Sequence, residues 1–79
     1  MIPSTEIMTP ARALMLWASA RERARDDLLA QAVWLSRQGL AHEASQRRAA
    51  AYLLQVRALQ ERAQAAAQQP ADVLSPARL

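Results

Sequence analysis

Apolar positions recur along the chain in two long segments separated by a single glycine. In the first, Leu14, Trp17, Arg21, Ala24, Leu28, Gln31 and Leu35 follow one another at alternating intervals of three and four residues. In the second, Ser45, Ala49, Tyr52, Val56, Leu59, Ala63 and Ala66 do the same. Such spacing lines side chains along one side of an α-helix, and sustained over several turns it is the heptad signature of a coiled coil. The ends of the segments carry matching signals. Thr9-Pro10 supplies an N-cap hydroxyl and a proline at the first helical position, where the missing N–H costs nothing. Gly39 stands where a helix C-terminus calls for positive φ, with Arg37 in the last turn opposite the negative end of the helix dipole. Pro70 stops the second segment. The pattern predicts a helix over 10–38, a bend at 39 and a helix over 41–68. These form a hairpin domain over 10–69, with flexible tails over 1–9 and 70–79.

Two long helices joined at one glycine predict an all-α fold, an antiparallel two-helix hairpin. Folding at Gly39 sets Trp17 opposite Ala63, Leu14 opposite Ala66, Ala24 opposite Val56 and Leu28 opposite Tyr52, so that large side chains face small ones. The stretch RERARDD, residues 21–27, has six charges in seven positions but no helix breaker. It reads as a solvated waist of one continuous helix, with Glu22 pairing to Arg25 and Arg23 to Asp26 or Asp27.

This seam leaves large apolar residues over. Leu16 and Trp34, eighteen residues apart, share one azimuth about 120° from it. Met15, Leu29 and Val33 form a stripe on the opposite flank, and Leu40 and Leu54 are also off the seam. One hairpin cannot bury all of these, which predicts a second partner surface. Two hairpins pairing as a homodimer would give a four-helix bundle. Docking on a larger protein would use Leu16, Leu29, Val33 and Trp34 as contact residues, with Trp34 the preferred anchor because tryptophan is enriched at binding hot spots.

Composition narrows the function further. Nineteen alanines, eleven leucines and eight glutamines, with one glycine and no phenylalanine, make a helix former's chain. All ten basic side chains are arginine, the mark of a GC-rich bacterial or phage gene. There is no cysteine, so thiol chemistry, disulfides and thiolate metal sites are excluded, in keeping with a cytoplasmic protein. His42 is the only histidine, Asp26-Asp27 cannot face each other at adjacent helical positions, and one glycine cannot build a phosphate loop. No enzyme activity, metal or cofactor is expected. ALMLWASA, residues 13–20, ends in a small-x-small tripeptide, but its apolar run is short and Glu6 precedes it, which argues against a signal peptide. No stretch is apolar enough to span a membrane. The net charge of +3 gives Arg37, Arg47 and Arg48, near the bend with His42, as candidates for an anionic partner. The leading expectation is a non-catalytic interaction module: an adaptor, co-chaperone, assembly factor or inhibitor of a larger protein. The alternative is a small basic helical nucleic-acid-binding protein.

Overall fold

The computed structural model describes residues 9–68; the tails expected over 1–9 and 70–79 lie outside them apart from Thr9. Two helices make up the fold, α1 from Pro10 to Arg37 and α2 from Ala41 to Ala67, packed against each other as an antiparallel hairpin with no strand among the described residues. Each helix ends one residue short of the predicted boundary.

The ends form as their residues dictate. Thr9 is extended (φ −73°, ψ 157°), and its hydroxyl accepts from the Arg12 N–H at 3.1 Å, while Pro10 takes the first helical position. At the other end of α1, Gly39 adopts φ +82°. The Leu40 N–H then donates to the Leu35 carbonyl at 2.9 Å and the Gly39 N–H to that of Ser36 at 3.0 Å, the paired bonds of a Schellman cap. The Leu40 carbonyl accepts from Ala44 N–H at 3.0 Å and starts α2, so the reversal is made within two residues. The first turn of α2 has no side-chain cap, but Glu43 lies there, favoured by the positive end of the dipole.

The seam between the helices is built on alanine. Ala44, Ala51, Ala58 and Ala65 repeat every seventh residue along α2, and all four are buried. On α1, Ala18 and Ala32 are buried, Ala11 is half-buried in the same column, and Arg25 takes the remaining position. Leu14 is the sole large hydrophobic residue buried among those described, flanked in its own column by half-buried Arg21, Leu28 and Leu35.

This corrects the azimuth of the expected seam, and of α2 above all. Tyr52 and Leu59, predicted inside, are exposed at 67% and 54%; Ser45, Ala49, Ala63 and Ala66 are also exposed, and Val56 is half-buried. The true seam of α2 runs one residue earlier, at 44, 51, 58 and 65 rather than 45, 52, 59 and 66. On α1, Leu14, Arg21, Leu28 and Leu35 face α2 as predicted, but Trp17, Ala24 and Gln31 are exposed, and their place is taken by Ala18, Arg25 and Ala32. The axial register differs little: the cross-helix pairs Arg21–Glu61, Glu22–Arg62 and Arg25–Gln55 have their midpoints at residues 40 to 42, against 40 for the expected layers. The physical reason is size. Alanine columns let the two backbones approach closely, and only then do arginine and glutamate on either flank reach across.

Two substitutions test this arrangement. Gly39→Ala meets no atom within 4 Å, so its whole effect is that of forcing an L-residue to φ +82°; a loss of about 1 kcal/mol is expected in urea unfolding. Ala58→Leu, at the fully buried centre of the α2 column, is expected to wedge the helices apart and lower stability by about 1–3 kcal/mol in the same measurement.

Candidate protein-interaction surface

The seam divides the outside of the hairpin into two faces. Residues three after each alanine of the columns flank it on one side and residues four after flank it on the other. On the first face lie Arg21 and Leu35 of α1 with Arg47, Leu54 and Glu61 of α2; Trp17 and Trp34 stand over them. Grooves run along this face, one lined by Trp17, Ala20, Ala24 and Leu54, another by Ala30, Gln31, Trp34, Leu35 and Arg47. On the second face, a groove is lined by Leu29, Arg48, Tyr52 and Gln55, with Arg25 and Asp26 at its edge.

Ion pairs hold both edges of the seam. On the tryptophan face, Arg21 Nε donates to both carboxylate oxygens of Glu61 at 2.8 and 2.9 Å, and Arg57 Nε approaches Glu61 Oε2 at 3.6 Å. Glu61 is only 4% exposed, and two guanidinium groups meet its carboxylate there. On the tyrosine face, Arg62 clasps Glu22 in a bidentate pair, Nε to Oε2 at 2.9 Å and Nη2 to Oε1 at 2.5 Å, and Arg62 Nη2 also reaches Ser19 Oγ at 3.4 Å. Arg25 bridges Gln55 and Asp26. The charged stretch 21–27 is therefore not merely a solvated waist. Arg21, Glu22 and Arg25 bond across to α2, and the expected Glu22–Arg25 and Arg23–Asp pairs within α1 are not made.

The predicted contact residues are all exposed, Leu16 at 49%, Leu29 at 40%, Val33 at 50% and Trp34 at 59%, and Trp34 and Leu29 lie apart, as their expected stripes require. Trp34 lines the groove beside Arg47, whereas Leu29 lines the one beside Arg48 on the other face. Arg47 and Arg48 are separated in the same way. Arg47 Nε is engaged with Gln31 Oε1 at 3.0 Å, while Arg37 and Arg48 are exposed. Trp17, Tyr52, Leu53 and Leu59 join the exposed apolar surface, none of them foreseen there. Their signal in the sequence was the competing alanine heptad, which claims the inside of α2 if small size rather than hydrophobicity selects the seam. Among the described residues, no cluster of three or more metal-ligating side chains exists, and no helix is long and apolar enough to cross a membrane. Comparison of the chain with protein-family models, with curated proteins and with solved structures finds no match.

The Glu22–Arg62 clasp gives the hairpin a pH dependence. The hydrogen bond from Arg62 is the largest influence on the Glu22 carboxyl; partial desolvation opposes it, and the charges of Arg62 and Arg25 add to it, holding the carboxyl below its ordinary value. With the folded value below the unfolded one, the unfolded chain binds more protons in acid. The contribution is complete above the ordinary glutamate range and is lost as pH falls through the folded value. Urea midpoints measured from neutral to acid pH are expected to drop, and Glu22→Gln to flatten that drop while lowering the neutral midpoint.

Proposed function

We propose that the chain is a non-catalytic protein-interaction module, a helical hairpin that works by presenting apolar helix faces to other protein surfaces, both a larger protein and a second copy of itself. One observation carries this reading. The hairpin buries Leu14 and six alanines, while ten larger apolar side chains, both tryptophans among them, are at least 40% exposed. An alanine methyl contributes about 0.8 kcal/mol on burial against about 1.5–3 kcal/mol for a leucine or larger side chain. Among the described residues, much of the larger apolar surface is thus on the outside, where it contributes little to the isolated hairpin. Covering it is what a partner would supply, and tryptophan, leucine and tyrosine on rigid helices suit that purpose. An adaptor, assembly factor, co-chaperone or inhibitor would all use the surface in this way.

The nucleic-acid alternative has less support. Arg47 and Arg48 lie on separate faces, and Arg21, Arg57 and Arg62 are engaged with carboxylates of the hairpin.

The test is capture by the immobilised full chain of proteins from a bacterial extract, compared with Leu29→Glu/Val33→Glu and Trp34→Ala variants whose helicity is verified by circular dichroism. Capture of a defined protein in fixed stoichiometry, weakened at least tenfold by one of these variants and little affected by salt, is the expected result. Retention of nucleic acid instead, falling steeply with salt and lost in Arg47→Glu/Arg48→Glu, would replace this reading with the other one.

A further inference from the structure

The outer side of α1 carries a second heptad stripe that the hairpin does not use. Leu16, Ala20, Arg23, Asp27, Ala30 and Trp34 follow one another at intervals of four, three, four, three and four residues, and all six are exposed. They lie on the side of α1 turned away from the alanine column at Ala18 and Ala32. At 1.5 Å rise per residue the stripe runs about 27 Å along the helix.

The order of residues in this stripe is self-complementary. Read from either end, it begins with a large apolar side chain, continues with alanine and reaches a charge at the centre; the two central charges are opposite. We propose that this stripe is the contact between two copies of the chain, packed antiparallel with their two-fold axis level with residue 25. In that register Leu16 of each copy faces Trp34 of the other, Ala20 faces Ala30, and Arg23 faces Asp27, each pair occurring twice as two-fold symmetry requires. The alanines allow the helices to close, and the large apolar pairs fill both ends of the contact.

Charge decides both the occupant and its direction. Arg23 and Asp27 make no ion pair or side-chain hydrogen bond among the described residues, although every other charged residue between 21 and 26 does. Within α1, arginine preceding aspartate by four residues is the weaker order for a helical pair. A parallel copy would set Arg23 on Arg23 and Asp27 on Asp27. Only an antiparallel copy meets both charges with their opposites. The inference rests on the reading of the chain as an interaction module and divides its surface. Trp34 and Leu16 go to the second copy, and Leu29, Val33, Tyr52 and Leu59 on the tyrosine face stay free for a different protein.

Sedimentation equilibrium of the full chain tests it, with Arg23→Glu, Asp27→Arg and the double variant alongside. The expected result is a species of twice the 8.7 kDa chain mass. Its dissociation constant should rise at least tenfold in each single variant and return toward the original in the double variant, where the swapped charges again meet opposites. Direction is read separately from single cysteines placed in this cysteine-free chain. Under oxidation, Ala20→Cys mixed with Ala30→Cys is expected to cross-link, and neither variant alone, because like positions are ten residues apart, about 15 Å along the helix. A dimer unmoved by the single charge swaps, or one that cross-links through Ala20→Cys alone, would overturn the proposed stripe and leave the interaction-module reading standing on another face. A chain that stays monomeric to millimolar concentration would overturn it too, and the larger-protein reading would then be decided by the Leu29 and Val33 variants.

Discussion

Everything in this hairpin follows from how closely its two helices approach. Four alanines at seven-residue intervals on α2 meet Ala18 and Ala32 of α1, so that small side chains line most of the buried seam beside Leu14. At that separation there is no room for Trp17, Tyr52 or Leu59 in the seam, so they turn outward. The same closeness brings residues on the flanks within one side-chain length of the opposite helix. Arg21 can then reach Glu61, and Arg62 can reach Glu22. Wider packing through leucine and tyrosine would have buried more apolar area but would have drawn these pairs apart.

The ion pairs add direction more than strength. A buried carboxylate gives back in attraction roughly what it loses in hydration, so Glu61 is weak evidence for a stable fold. What it and Glu22 provide is register. A slide of α2 by one turn would leave Glu61 in a desolvated position away from Arg21, and would separate Arg62 from Glu22 on the other edge. The Schellman turn at Gly39 sets the same register from the end of the hairpin. Two independent devices thus fix the relative position of helices whose alanine columns, being featureless, would pack equally well in several registers.

Features that depend on local chemistry were legible in the sequence: the threonine cap, the proline at the first turn, the glycine reversal and the all-α hairpin itself. Axial register was legible too, because a two-residue turn leaves little slack. The azimuth of α2 was not. Its sequence carries two heptads one residue apart, alanine throughout at 44, 51, 58 and 65, and tyrosine and leucine among smaller residues at 45, 52, 59 and 66. Hydrophobicity favours the second; close packing selects the first. The deciding clue was in the charges, since Glu61 and Arg62 stand near the level of Arg21 and Glu22 on either side of the bend, one pair on each edge, and both pair only if the alanines face inward. The candidate contact residues Leu16, Leu29, Val33 and Trp34 could be read as surplus to a single seam. Their division into two sides, Leu16 with Trp34 and Leu29 with Val33, was legible too; which residues of α2 stand beside each side was not, because that depends on which column of α2 meets α1.

RERARDD is where these levels meet. A run of charges in the middle of a long helix reads as a solvated spacer when only one partner is considered. Its members instead alternate in direction: Arg21, Glu22 and Arg25 turn toward α2 and bond there, and Arg23 and Asp27 turn away from it. A spacer needs no such sorting, since any order of charges would dissolve equally well. Sorting by face is what a helix requires when each side must choose a register, one against its own hairpin partner and, on the present proposal, one against its symmetry mate. The apolar residues at either end of α1 then supply contact area, while the charges at its centre say which arrangement of that area is the right one.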